Sequence, residues 1–190
     1  MTMHDRLPPL AAEAMDDEQK KAAAELIAGP RGGVRGPFIP LLRSPELMSS
    51  LQKVGEVLRF RNSLPANLNE FVMLVVAREW TQQFEWQVHY PLAVEAGLKP
   101  EIAAALADGR RPRGMAEDEE TVWDFCDELA CTRGVSDATY ARAVELFGER
   151  GVIDLLGLVG YFATVSMIMN VAHTPPPQGG KADPLRAFPL

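Results

Sequence analysis

The run Leu64-Pro65-Ala66-Asn67-Leu68-Asn69-Glu70-Phe71-Val72-Met73-Leu74-Val75-Val76-Ala77-Arg78-Glu79-Trp80 is followed at once by Thr81-Gln82-Gln83-Phe84-Glu85-Trp86-Gln87-Val88-His89-Tyr90-Pro91. In the first run Leu68, Phe71, Val72, Val75 and Val76 recur at helical spacing behind a Leu-Pro start, which predicts a helix ending near Trp80. Thr81 is placed to cap a second helix, from Gln82 to about Ala96, closed by Gly97. Pro91 falls inside that helix and is expected to kink or split it, because proline lacks a backbone donor and crowds the preceding turn. A turn near Trp80 can bring the two helices side by side, and the rest of the chain reads in the same way.

Upstream, a helix is expected from Asp17 to Ala28, with Asp16 or Asp17 at its start and Gly29-Pro30 stopping it. Ser44-Pro45-Glu46 opens another, in which Leu47, Leu51, Val54 and Leu58 repeat at helical spacing. Downstream come a short helix near Pro100–Ala107, helices over Glu117–Thr132 and Ser136–Gly148, and a last one over Val152–Val171. No segment alternates with β-branched enrichment, so no strand is expected and the fold class is all-α. Gly29 to Pro40 is rich in glycine and proline, and its length makes it a candidate functional loop. Thr174 to Leu190, with Pro175, Pro176, Pro177, Gly179 and Gly180, reads as an extended tail that is either disordered or wrapped on a neighbouring subunit.

Charge excludes some functions. With 19 Lys and Arg against 26 Asp and Glu, net −7, the chain lacks the basic excess that nucleic acid or an anionic membrane surface would need. A local basic pocket for a small anion is still allowed. The apolar stretch over Val152–Val171 is interrupted by Asp154, Gly157, Gly160, Tyr161 and Asn170, so it reads as a buried core helix, not a membrane span. Cys126 and Cys131 form neither a Cys-x-x-Cys motif nor a disulfide framework, and Met1–Pro8 has no basic-then-apolar leader. A cytoplasmic location is the expectation.

Histidine occurs only as His4, His89 and His173. Gln82, Glu85 and His89 stand at i, i+3 and i+7 on one helical face, beside Trp86. A carboxylate, an imidazole and an indole together suit proton transfer in a partly dry cleft. The same spacing is satisfied by an ordinary Glu–His pair on a solvated helix face.

The segments GPFIPLLRSPEL (36–47), LPANLNEFVMLVVAREW (64–80), QFEWQVHYPLAVEAGL (83–98) and GVIDLLGLVGYFATVSMIMN (151–170) resemble the carboxymuconolactone decarboxylase and alkylhydroperoxidase D family over about Arg31 to Pro177. The resemblance implies an alkylhydroperoxidase D-like helical bundle over residues 31–173. A helical arm (1–30) would precede it and a Pro/Gly-rich tail (174–190) would follow. The peroxidase branch carries Glu, eleven residues, Cys, two residues, Cys, three residues, His. Counted back from His89, that pattern places Glu70 at the glutamate and Gln82 and Glu85 at the two cysteines. Peroxide reduction needs a thiolate and a resolving thiol, so the resemblance points to the decarboxylase-like branch. His89 is then implied as general acid or electrostatic stabiliser, Glu70 as its orienting partner and Glu85 as a second proton carrier. Gln82, Trp86, Arg43 and Arg78 would bind a small anionic organic substrate, with Arg59 and Arg61 adding to the cationic set. Tyr161, Asn170 and His173 would line the cleft if the last helix packs there. No metal and no organic cofactor is implied, and a symmetric homo-oligomer, trimer or hexamer, is. The runner-up enzyme reading is a peroxidase-like antioxidant protein, disfavoured by the missing cysteine pair, and the rival from another class is a non-catalytic oligomeric binding module.

Overall fold

The computed structural model describes residues 4–187, and among these all extended regular structure is helical. In chain order the α-helices are α1 (Asp17–Ala28), α2 (Phe38–Leu41), α3 (Pro45–Phe60), α4 (Ala66–Glu79), α5 (Gln83–Glu95), α6 (Pro100–Ala107), α7 (Glu117–Thr132) and α8 (Asp137–Ala172). Leu68, Phe71, Val72, Met73, Leu74, Val76 and Ala77 of α4 are all buried. A helix that is apolar all round must be wrapped by others, and α5, α6, α7 and α8 pack around it. α1 and α2 lie on α3, around a smaller core that includes Leu26, Phe38, Leu42 and Met48.

The join between α4 and α5 sets up the site. Thr81 N–H reaches the Arg78 carbonyl at 3.0 Å, and Gln82 N–H reaches the Ala77 carbonyl at 2.8 Å. That is the Schellman way of ending a helix, with a left-handed residue at its centre. The centre is Thr81 at φ 47°, a β-branched residue where glycine is usual. Thr81 therefore ends α4 instead of capping α5. The N-cap of α5 is Gln82, whose side chain accepts from Phe84 N–H at 2.6 Å. Asn170 of α8 closes the turn: it donates to the Trp80 carbonyl and accepts from Gln82 Nε2, both at 2.8 Å.

Three further departures from expectation have local reasons. Pro91 neither splits nor ends α5, which runs through it to Glu95; packing on α4 compensates the one backbone donor that proline lacks. The stretch Gly29–Pro40 is not loop throughout, because Phe38–Leu41 buries Phe38 and Leu41 by winding into a turn of helix. The helices expected over Ser136–Gly148 and Val152–Val171 run on as α8, jointed at Gly148 with φ 68° and ψ 171°. Beyond the joint Val152, Leu155, Leu158, Phe162, Val165 and Met169 are buried. By length and composition α8 could cross a membrane; here these residues pack into the protein core.

The tail is also corrected. Its described part docks on its own chain: Gln87 Nε2 donates to the Ala182 carbonyl at 2.6 Å and Gln87 Oε1 accepts from Ala182 N–H at 3.1 Å. Gln83 makes the same two bonds to Leu185, at 2.7 and 3.0 Å, and Trp86 Nε1 donates to the Asp183 carbonyl at 3.1 Å. Residues 188–190 of the tail lie outside the described residues, as do residues 1–3.

Two backbone positions should respond oppositely to substitution. Thr81→Gly removes the side-chain clash of the left-handed conformation and should raise stability by about 1 kcal/mol. Gly148→Ala forces a side chain into a region that is nearly glycine-only and should lower stability by about 1–3 kcal/mol. Urea unfolding monitored by helical circular dichroism measures both.

Candidate active site

α4 and α5 present Glu70 and His89 to one another. His89 Nδ1 lies 2.7 Å from Glu70 Oε2, and His89 Nε2 lies 3.2 Å from Glu85 Oε2, one turn earlier on α5. The imidazole is 2% exposed, Glu85 6% and Glu70 15%. Phe162 of α8 meets the ring edge-on at 5.3 Å between centroids. The three sequence-predicted catalytic candidates therefore form one hydrogen-bonded line, Glu70–His89–Glu85. A protonated His89 donates to both carboxylates, while a neutral one donates to only one. Burial by itself lowers the His89 pKa. The hydrogen bonds to Glu70 and Glu85, together with their charges, outweigh it and hold the pKa above the ordinary 6.5.

Glu85 and His89 open onto a cavity of about 380 Å³. Phe38, Phe60, Phe84, Tyr161 and Phe162 give it aromatic walls, and Arg31, Arg35 and Arg59 give it cations. Among the arginines proposed from sequence, only Arg59 lines it. Arg61 pairs with Glu56 at 3.3 Å on the surface. Arg31, which sequence reasoning missed, lies in the glycine-rich segment between α1 and α2. That segment's composition and length were the signal available for it.

The four residues expected to bind substrate lie elsewhere, and none lines the cavity. Gln82 is spent on the N-cap and on Asn170. Trp86 follows Glu85 by one position, a rotation of about 100° on a helix, and points its indole N–H at the tail. Arg43 donates to the carbonyls of Leu7, Pro8 and Ile39, tying down the N-terminal segment. Arg78 donates to the Arg186 carbonyl at 2.7 Å. Backbone carbonyls draw guanidinium groups as well as a substrate would. Of the residues suggested for the last helix, Tyr161 lines the cavity, Asn170 clamps the α4–α5 turn, and His173 bonds to the His4 carbonyl.

The cysteines are placed apart from this chemistry. Cys126 is buried, and burial first, then the charges of Glu79 and Asp127, push its thiol up to about 12. Cys131 is exposed on the same helix. Neither lines the cavity of His89 and Glu85.

The raised pKa of His89 fixes the sign of a pH effect. A histidine that binds its proton more tightly folded than unfolded adds stability that is complete below the unfolded value. That stability is lost as pH rises through the higher folded value. The unfolding midpoint should therefore decline as pH rises above about 6.5. His89→Gln should remove this component and, by breaking a buried pair, lower stability near pH 6 by about 3 kcal/mol. Urea titrations across that range compare the two proteins.

No protein-family model matches the chain, and no curated protein is similar to it in sequence. Among solved structures it is similar to an alkylhydroperoxidase AhpD core, an uncharacterized peroxidase-related protein from Ralstonia eutropha JMP134. The superposition has a TM-score of 0.73 and covers 91% of this chain and 92% of that one, at 15% sequence identity. At that identity the likeness is one of architecture, and the conclusion it carries is that this chain has the alkylhydroperoxidase AhpD-core fold.

Proposed function

We propose that the chain is an acid–base enzyme of the carboxymuconolactone decarboxylase type, acting on a small carboxylated lactone or a related unsaturated organic acid. The observation that carries this reading is the buried imidazole of His89, held between Glu70 and Glu85 at the wall of a cavity with aromatic sides and three arginines. When a conjugated lactone acid loses carbon dioxide, the electron pair of the broken C–C bond passes into the ring as a dienolate. One proton must then be delivered to carbon. Protonated His89 supplies it, directly or through Glu85, while Glu70 holds the Nδ1 side and keeps the ring in one orientation. Glu70, at 15% exposure, returns the proton from solvent.

The Ralstonia protein is described as peroxidase-related, which would favour peroxide chemistry. Against that reading, Gln82 and Glu85 stand where a dithiol would have to stand. The Cys126 thiol is held protonated at neutral pH, and a thiol is not the nucleophile that a thiolate is. A homo-oligomer belongs to the same proposal. It is supported by exposed Leu47, Val54, Val57 and Phe60 on α3 and Ile153 and Leu156 on α8, since large apolar side chains left in water favour association.

Turnover is to be measured on 4-carboxymuconolactone and a panel of unsaturated lactone acids. His89→Gln should retain the helical spectrum and reduce kcat on the order of 10²–10⁴-fold, the usual worth of a positioned proton donor. Joint replacement of Cys126 and Cys131 by Ser should leave turnover essentially unchanged. Wild-type rates in His89→Gln would dismiss the proton relay, and a hydroperoxide reduction by the wild type that the folded serine pair has lost would restore the peroxidase reading. Sedimentation at micromolar concentration should show more than monomer.

A further inference from the structure

We infer that Arg31 is the anchor for a substrate carboxylate, and that the cavity takes a flat, unsaturated ring bearing that carboxylate. The inference rests on the acid–base reading only where it says what the far end of the ring meets, namely Glu85 and His89. Arg31 lines the cavity, and its Nε is buried without a hydrogen-bond partner among the described residues. Buried N–H groups are almost always satisfied, and a guanidinium stays charged. A guanidinium at the cavity wall whose donors the described protein groups do not all use is suited to hold an anion there.

The rest of the side chain is fixed as an anchor should be. Its Nη2 donates to the Tyr161 hydroxyl at 3.3 Å, and its carbon sits 4.7 Å above the Phe38 ring centre. A neutral hydroxyl and an aromatic face hold the fork in place without neutralising it. Gly55, inside α3, is the second observation. A β-carbon there would fall 2.2 Å from the Tyr161 hydroxyl and 2.5 Å from Arg31 Nη2. Glycine in a helix interior is unfavourable by about 1 kcal/mol relative to alanine, and here its lack of a side chain is what admits the Arg31–Tyr161 pair.

Charge and shape specify the ligand. Arg59 and Arg35 border the same cavity, and among the described residues that line it Glu85 is the one carboxylate, already paired with His89. A cationic pocket in a protein of net charge −7 selects an anion locally. The planar guanidinium fork matches a carboxylate with two parallel hydrogen bonds, and the aromatic walls favour a flat ring over a hydrated inorganic ion.

The test uses the full chain and three probes in isothermal titration: benzoate, its neutral isostere benzamide, and inorganic phosphate. Wild type should bind benzoate at least tenfold more tightly than either of the others. Arg31→Met should bring benzoate and benzamide within twofold of one another. Arg31→Lys, which keeps the charge and loses the fork, should retain only part of the preference. Gly55→Ala, which keeps every charge but crowds the pair, should weaken benzoate several-fold. If Arg31→Met does not fold, the lysine variant decides. A wild-type preference in either Arg31 variant, equal binding of benzoate and benzamide by wild type, or phosphate binding as tightly as benzoate overturns the inference. His89→Gln should keep the Arg31-dependent preference. A normal rate in that variant with an intact preference removes the proton relay and leaves the anchor standing. A lost rate with no effect at Arg31 does the reverse.

Discussion

Turning α5 back on α4 within the three residues Trp80–Gln82 is the constraint on which the rest of the site depends. Glu70 and His89 are far apart along the chain, and only this tight reversal lays them at 2.7 Å. The reversal places a β-branched residue in a left-handed conformation, which is unfavourable on its own. It is held by the two backbone bonds that end α4 and by Asn170 reaching across from α8. The same α8 supplies Phe162 against the imidazole and Tyr161 to the cavity. Clamping the turn and walling the cavity are thus done by one helix, so the position of the Glu70–His89–Glu85 line cannot drift independently of the cavity it faces.

Burial acts in opposite directions on the two groups that matter for chemistry. Around Cys126 nothing compensates the loss of water, and the thiol stays protonated. Around His89 two carboxylates compensate it on both ring nitrogens, and the imidazole holds its proton more firmly than in water. The difference lies in which side chains stand opposite each buried group, since a low-polarity setting strengthens whatever interaction is present. The outcome is an imidazole that favours its charged form at the cavity wall and a thiol that favours its protonated form elsewhere.

α5 serves two purposes by dividing its faces. Glu85 and His89 look into the cavity, while Gln83, Trp86 and Gln87 hold the C-terminal tail. All three bind backbone groups of the tail, so the tail needs to be extended there more than it needs particular side chains. A segment rich in proline and glycine meets that requirement, because proline disfavours helix and an extended backbone leaves its N–H and carbonyl groups free for side-chain amides.

Much of this was legible in the sequence because it is local. Apolar spacing and stop signals located the main helices, and four-residue spacing put Glu85 and His89 on one face, since 3.6 residues make a turn wherever a helix forms. The family pattern added Glu70. Periodicity could not assign roles to side chains whose partners are distant in sequence. Arg43 and Arg78 read as ligand-binding cations, yet the carbonyls of Leu7, Pro8 and Arg186 claim them. Arg31 carried no mark beyond its place in a glycine-rich segment, and Gly55 carried none at all. Only the packing of α3 against α8 gives that glycine its meaning, by bringing Tyr161 to where a β-carbon would have been. The sequence by itself determined an all-helical chain and the chemical types available to it. The tertiary structure decided which arginine meets the cavity and which imidazole is buried between acids, because those outcomes depend on the spatial neighbours that remove water from each group and the charges that replace it.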